Sequence, residues 1–193
     1  MNNIILITGG QRSGKSTYAE KLALSLSENP VYMATAHCWD EEFRKRILRH
    51  QENRGSQWTN VEEEKFLSHH DVRGKVVLVD CLTLWATNFF FAEGVELPEV
   101  DGVLETMKAE FEAFVRQDAT FIFVTNEIGL GGVSPNALQR RFTDLLGWLN
   151  QYVAKRADKV IMMVSGIPMT IKEKQHTHSN DTGRTATGID GQD

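Results

Sequence analysis

Residues Gly9 to Ser16 read GGQRSGKS and satisfy the pattern G-x-x-x-x-G-K-[ST]. In this order the residues describe an anion site: Gly9, Gly10 and Gly14 let the backbone curl so that amide groups converge. Gln11, Arg12 and Ser13 supply the intervening N–H donors, and the following helix adds the positive end of its dipole. Lys15 is expected to reach the β- and γ-phosphates of a nucleotide, and Ser16 to ligate Mg²⁺ through its hydroxyl. A magnesium-side carboxylate is expected at the end of a neighbouring buried strand, and VVLVD ends on Asp80.

A second chemical stretch is RKRILRHQENR, residues 44–54, with five cations around one histidine in a chain of net charge −5. Read as a helix over 40–54, it places Arg46, His50 and Arg54 at successive i+4 steps along one ridge, with Phe43 and Ile47 on the stripe that His50 shares. A neutral imidazole is a competent nucleophile toward phosphorus, and the arginines would bind phosphate and offset charge developing on its oxygens. A packed boundary histidine and a solvated basic face balanced by the acidic residues 40–42 are the competing readings. His37 is the rival nucleophile, because it also follows a predicted strand. His176 and His178 are read as polar residues of the terminus.

These groups need a scaffold, and the apolar pattern supplies one. Five runs rich in β-branched residues occur at 3–8, 30–36, 75–80, 120–125 and 159–164. They are continuous rather than alternating, which predicts strands covered on both faces. Helical patterns at 14–27 and 135–157 lie between them, the first with Ala19, Leu22, Ala23 and Leu26 on one face. The second carries Leu138, Phe142, Leu145, Leu149 and Val153 on one face, with Ser134 as predicted N-cap and Pro135 at the first position. The expected fold is a single α/β domain, phosphate-loop NTPase-type and RecA-like, with a mostly parallel sheet covered by helices on both faces. Ligands of such sheets bind beyond the carboxyl ends of the strands.

Length and composition set the outer bounds. The 193 residues suit one core, and 41% apolar with 24% charged residues is the profile of a folded globular chain. The acidic balance argues against non-specific nucleic-acid binding. Cys38 and Cys81 have no partners at metal-ligand spacing and form no disulfide framework, so a reducing cytoplasm is expected. The N-terminal MNNIILITGG lacks a basic leader, and VVLVDCLTLWATNFFFA is interrupted by Asp80 and Asn88, so no signal peptide or membrane anchor is expected. The domain is assigned to residues 1–172 and a polar tail to 173–193.

The segments ITGGQRSGKSTYAE, VYMATA, RILRHQENRGSQW, DCLTLWATN, VTNEIGLGGVSPN and VSGIPMTIK occur in an order that resembles one known family. It is the bifunctional adenosylcobinamide kinase/adenosylcobinamide-phosphate guanylyltransferase family of cobalamin biosynthesis, and the resemblance covers residues 3–172. It implies two reactions. A nucleoside triphosphate, ATP or GTP, first phosphorylates the aminopropanol hydroxyl of adenosylcobinamide. GMP from GTP then passes to adenosylcobinamide phosphate through a guanylylated histidine, giving adenosylcobinamide-GDP and pyrophosphate.

Position by position the histidine of the resemblance falls on His50. Where family members often carry two adjacent histidines, this chain has Arg49 and His50. The resemblance also implies nucleotide contacts from Gly9 to Ser16, from Ala34, Thr35 and Ala36, from Gln51, Glu52, Asn53 and Arg54, and from Glu62. Asp80 matches a position that is often glutamate and is expected to contact nucleotide, Mg²⁺ or both. Asn126 and Glu127 end the fourth predicted strand, where they could face substrate or metal, and the sequence alone assigns them no role. A homotrimer with sites near subunit boundaries is implied. A small-molecule kinase without guanylyl transfer and a nucleotide-switched binding protein are the alternative functions.

Overall fold

The computed structural model describes residues 2–37, 55–91 and 99–174. Seven strands form one sheet: β1 Asn3–Gly9, β2 Val31–Ala34, β3 Thr59–Glu62, β4 Val76–Asp80, β5 Thr120–Val124, β6 Lys159–Val164 and β7 Ile167–Glu173. Their spatial order is β3-β2-β4-β5-β1-β6-β7. Every pairing is parallel except β6 with β7. The described helices are α1 Lys15–Leu26, α2 Leu82–Phe90, α3 Val100–Val115 and α4 Ala137–Arg156.

The continuous apolar runs are explained by two separate cores, one on each face of the sheet. Ile4, Leu6, Met33, Val77, Val79, Phe121 and Phe123 point to the face covered by α2, α3 and α4. The alternate residues Ile5, Ile7, Tyr32, Leu78, Ile122 and Val124 meet α1 through Ala19 and Ala23. Strand side chains alternate between faces, so a strand covered on both sides must be apolar at every position. Small residues on α1 let that helix lie close over the sheet, which brings its N-terminus to the end of β1.

Several expectations are corrected. In α1, Leu26 is 49% exposed and Leu22 only partly buried, because Ala19 and Ala23 make the close contact. The N-cap of α4 is Asn136 rather than Ser134: its side chain accepts from the Gln139 N–H at 3.0 Å, while the Ser134 hydroxyl accepts from the Asn136 N–H. The second strand stops at Ala34, two residues short of the predicted end. Strands β3 and β7 are additions. Both lie at sheet edges with mostly exposed side chains, so neither has the continuous apolar run that marks a buried strand.

Hairpin β6–β7 turns through Ser165 at φ 50° and Gly166 at φ 84°, the left-handed pair a two-residue hairpin favours. Strand β7 extends to Glu173, and Lys174 reaches Asp158 at 2.6 Å, so two residues assigned to the tail belong to the folded unit. Among the described residues, no helix is long and apolar enough to cross a membrane.

Candidate functional site

The phosphate loop lies where β1 hands over to α1. Gly9 has φ 146°, and a Cβ there would stand 2.5 Å from the Met163 carbonyl oxygen on β6, so only glycine fits between the strands. Arg12 at φ 60° and Gly14 at φ 92° are both left-handed, and Gly14 is the residue from which α1 starts. The loop closes on itself through Ser13 N–H to Gly10 O at 3.3 Å and is clamped from outside by Gly166 N–H to Ser13 O at 3.0 Å. No acidic residue occupies the first turn of α1 and no side chain caps it, which leaves the helix amides for an anion.

Lys15 is buried, and its ammonium donates to Gly10 O at 2.6 Å and to Ser13 Oγ at 3.5 Å. Desolvation lowers its pKa, opposed in part by the negative charge of Asp80. An ammonium stripped of water and satisfied by one carbonyl and one hydroxyl gains strongly from an incoming phosphate. Ser16 follows in the first turn of α1, half-buried.

The sheet register lines up the remaining groups. Glu62 of β3 pairs with Ala34 of β2, Ala34 pairs with Asp80 of β4, Asp80 pairs with Val124 of β5, and Val124 pairs with Ile7 of β1. Glu62, Ala34, Asp80 and Val124 are the last residues of their strands, and Ile7 stands two residues before the end of β1, so all lie toward the edge that carries the phosphate loop. Strand β5 separates β1 from β4, so Asp80 stands on the same edge as the loop with one strand between them. The half-buried Asp80 accepts from the Tyr32 hydroxyl at 2.5 Å. Its oxygens and the Ser16 hydroxyl are hard donors that suit Mg²⁺. Among the described residues no three His, Cys, Asp or Glu side chains cluster for a metal. Mg²⁺ held by one or two protein oxygens and nucleotide phosphates needs no such cluster.

Thr35 ties this edge together. Its buried hydroxyl accepts from Cys81 N–H at 2.9 Å and donates to Cys81 O at 2.8 Å, while its carbonyl accepts from Asn88 Nδ2 of α2 at 2.7 Å. The end of β2, the residue after Asp80 and α2 are therefore tied together by hydrogen bonds. Burial pushes the Cys81 thiol up to about 12, which keeps it protonated and unreactive. Ala36 is half-buried beside this knot, and His37 shares a 2.7 Å contact with Glu64. In the acidic run, Glu62 is exposed at the strand end. Glu63 instead accepts from the Lys65 and Phe66 amides, and so belongs to the local turn.

The sequence assigned no role to the segment after β5, which the structure places beside the loop. The Glu127 N–H donates to Gly9 O at 3.1 Å. Its Oε1 accepts from the Thr8 hydroxyl at 2.7 Å and from Asn150 Nδ2 at 3.4 Å. Asn126 is fastened to Thr83 Oγ1 of α2. The available sequence signal was a carboxylate three residues beyond a buried strand, at the ligand-binding edge. Arg46, His50, Gln51, Glu52, Asn53 and Arg54 lie outside the described residues, as do Cys38, His176 and His178.

The bifunctional adenosylcobalamin biosynthesis protein CobP of Pseudomonas aeruginosa is 39% identical over 171 residues, spanning 86% of this chain and 96% of that protein. The protein of the same description, CobU, from Escherichia coli K12 is 36% identical over 181 residues, spanning 88% and 99%. A solved structure from Pyrococcus horikoshii OT3 superposes with a TM-score of 0.50 at 8% identity, covering 90% of this chain and 88% of that one, a likeness of fold alone. A family model described as cobinamide kinase / cobinamide phosphate guanyltransferase matches residues 5–171. The chain belongs to this family of transferases, CobU.

Proposed function

We propose that one nucleotide site at the carboxyl edge of the sheet serves two successive transfers: phosphorylation of adenosylcobinamide from ATP or GTP, then guanylylation of the resulting phosphate from GTP. The observation that carries this reading is the buried Lys15 ammonium within a glycine-shaped loop, on the sheet edge where Glu62, Ala34 and Asp80 stand in register. The loop amides and Lys15 bind the β- and γ-phosphates. Ser16 and Asp80 are the groups that would hold Mg²⁺, which when bound screens the negative charge of the phosphates. Ala34, Thr35, Ala36 and Glu62 contribute the nucleotide contacts implied for the end of β2 and for β3, and Thr35 fixes that edge against Cys81.

The guanylyl half is proposed to run through His50. Its imidazole attacks the α-phosphorus of GTP, pyrophosphate leaves, and the phosphate of adenosylcobinamide phosphate then takes the GMP from the ring nitrogen. Arg46 and Arg54 stabilise charge on the phosphate oxygens, and Gln51, Glu52 and Asn53 flank the nucleotide. The two reactions attack different phosphorus atoms, so the loop holds the nucleotide in two poses or serves chiefly the first reaction. The reducing cytoplasm is the proposed setting. A homotrimer is the proposed assembly, supported by an edge strand that exposes Ile167, Met169 and Ile171.

The test uses the purified full chain with Mg²⁺ and GTP labelled at the α- or the γ-phosphate. Acid-labile, alkali-stable protein label is expected from the α-position only and is expected to vanish in His50→Ala. A wild type that binds GTP and acquires no such label would remove the covalent half of the proposal. Phosphorylation of adenosylcobinamide is then measured directly for the kinase half.

A further inference from the structure

Glu127 differs from three other glutamates among the described residues whose carboxylates are held through both oxygens. Glu112 uses both carboxylate oxygens on Tyr152 and Arg156, Glu110 uses both on Ser68, and Glu63 uses one on two amides and the other on His70. These carboxylates are spent on holding structure. Glu127 commits only Oε1, to Thr8 and Asn150, and its Oε2 accepts no hydrogen bond from any described residue. Its supports are themselves locked: Asn150 Oδ1 accepts from the Thr125 hydroxyl at 2.7 Å, and Asn150 Nδ2 also donates to Asn126 O at 3.1 Å. Thr8, Thr125 and Asn150 are all buried. A half-buried carboxylate is thus oriented by neutral donors, with one oxygen left over. Its backbone is bonded to Gly9, the first residue of the phosphate loop, and it follows the strand between β1 and β4.

The chemistry of the proposed reactions says which step can use such a group. In guanylylation the attacking atom is a neutral imidazole nitrogen with a free lone pair. In the transfer from histidine it is a phosphate oxygen that is already ionised. Only in the kinase step does the nucleophile, an alcohol, have to give up a proton as it attacks.

We propose that Glu127 is the general base of the kinase step, an assignment that rests on the functional reading above. The alcohol oxygen of the corrinoid side chain forms its bond to the γ-phosphorus while its proton passes to Glu127 Oε2. The bond from the γ-phosphorus to the β–γ bridging oxygen breaks, and the nucleoside diphosphate leaves with the electron pair. Thr8 and Asn150 are positioning residues that hold Oε1 so that Oε2 presents its lone pair.

The experiment measures two rates on the same preparations of full-length wild type, Glu127→Gln, Glu127→Asp and Thr8→Val: γ-phosphate transfer to adenosylcobinamide, and protein labelling from α-labelled GTP. For Glu127→Gln, kcat of the kinase step is expected to fall about 10²- to 10⁴-fold, with KM for the nucleotide within about threefold. Labelling of the protein is expected to fall by no more than about threefold, which also reports that the variant is folded. Glu127→Asp is expected to recover at least about tenfold of the lost kinase rate, and Thr8→Val to lose about tenfold. A kinase rate within tenfold of wild type in Glu127→Gln overturns the assignment. So does a parallel loss of both rates, which would put the carboxylate on a metal or on the fold. A wild type that labels from GTP and phosphorylates no cobinamide overturns the kinase reading itself, and the base with it.

Discussion

Thr35→Val is the substitution whose cost can be worked out most directly. Valine conserves the volume and removes the hydroxyl, which is fully buried and serves both polar groups of Cys81. The Cys81 carbonyl keeps a second partner, the Trp85 N–H of α2 at 3.0 Å, and therefore loses one bond of two, worth about 1 kcal/mol. The Cys81 N–H has no second partner among the described residues, and an orphaned buried donor costs about 1–3 kcal/mol. The sum is about 2–4 kcal/mol, which for a domain of this size lowers Tm by roughly 5–15 °C. Thr35→Ser keeps the hydroxyl and loses one methyl group, about 1 kcal/mol. The assay is urea unfolding of wild type and both variants, reading the midpoint with m unchanged. If Thr35→Val proves as stable as Thr35→Ser, the hydroxyl is not what joins the two strand ends, and the account of how Asp80 is positioned fails with it.

Two further outcomes follow from the geometry. Gly9→Ala places a Cβ 2.5 Å from the Met163 carbonyl at φ 146°, so β1 and β6 must part; thermal unfolding is expected to show a loss of about 2–4 kcal/mol, whereas unchanged Tm and unchanged GTP binding would contradict the close approach. Glu112 joins α3 to α4, and hydrogen bonding from Arg156 holds its pKa below the ordinary 4.5. A depressed carboxylate stabilises the fold above its unfolded pKa, and that contribution disappears as pH falls through the folded value. Glu112→Gln is therefore expected to cost about 0.5 kcal/mol at pH 7, the scale of an exposed pair. Its Tm is expected to approach that of wild type as pH falls from 4.5 through the lower folded value; a constant gap across that range would show that charge is not the cause.

Sequence reasoning was strongest where one local pattern has one physical solution. The loop Gly9 to Ser16 specifies its own backbone, because glycine spacing, lysine and hydroxyl must sit together at a strand-to-helix turn. The five apolar runs declared their strands because burial on two faces leaves no polar positions. Edge strands β3 and β7 bury little and so left no comparable pattern. The N-cap of α4 was misplaced by two residues because Ser134 and Asn136 are both competent caps, and only the chain path decides which side chain meets an orphan amide.

Some relations exist only in three dimensions. Glu62, Ala34, Asp80 and Val124 are far apart in the chain and become neighbours because β2, β3, β4 and β5 pair in a particular register. The knot of Thr35, Cys81 and Asn88 spans three elements, and no spacing rule anticipates it. The sequence marks Glu127 only as a residue at a strand end that could face substrate or metal. Its place beside Gly9, with Thr8 and Asn150 on one oxygen and the other left over, comes from packing α4 against β1 and the segment that follows β5. Residue types and local spacing thus determined the class of chemistry, because phosphate binding is built from contiguous residues. The choice of carboxylate for each step was left to tertiary structure, because acid–base chemistry depends on which groups a side chain meets across the sheet.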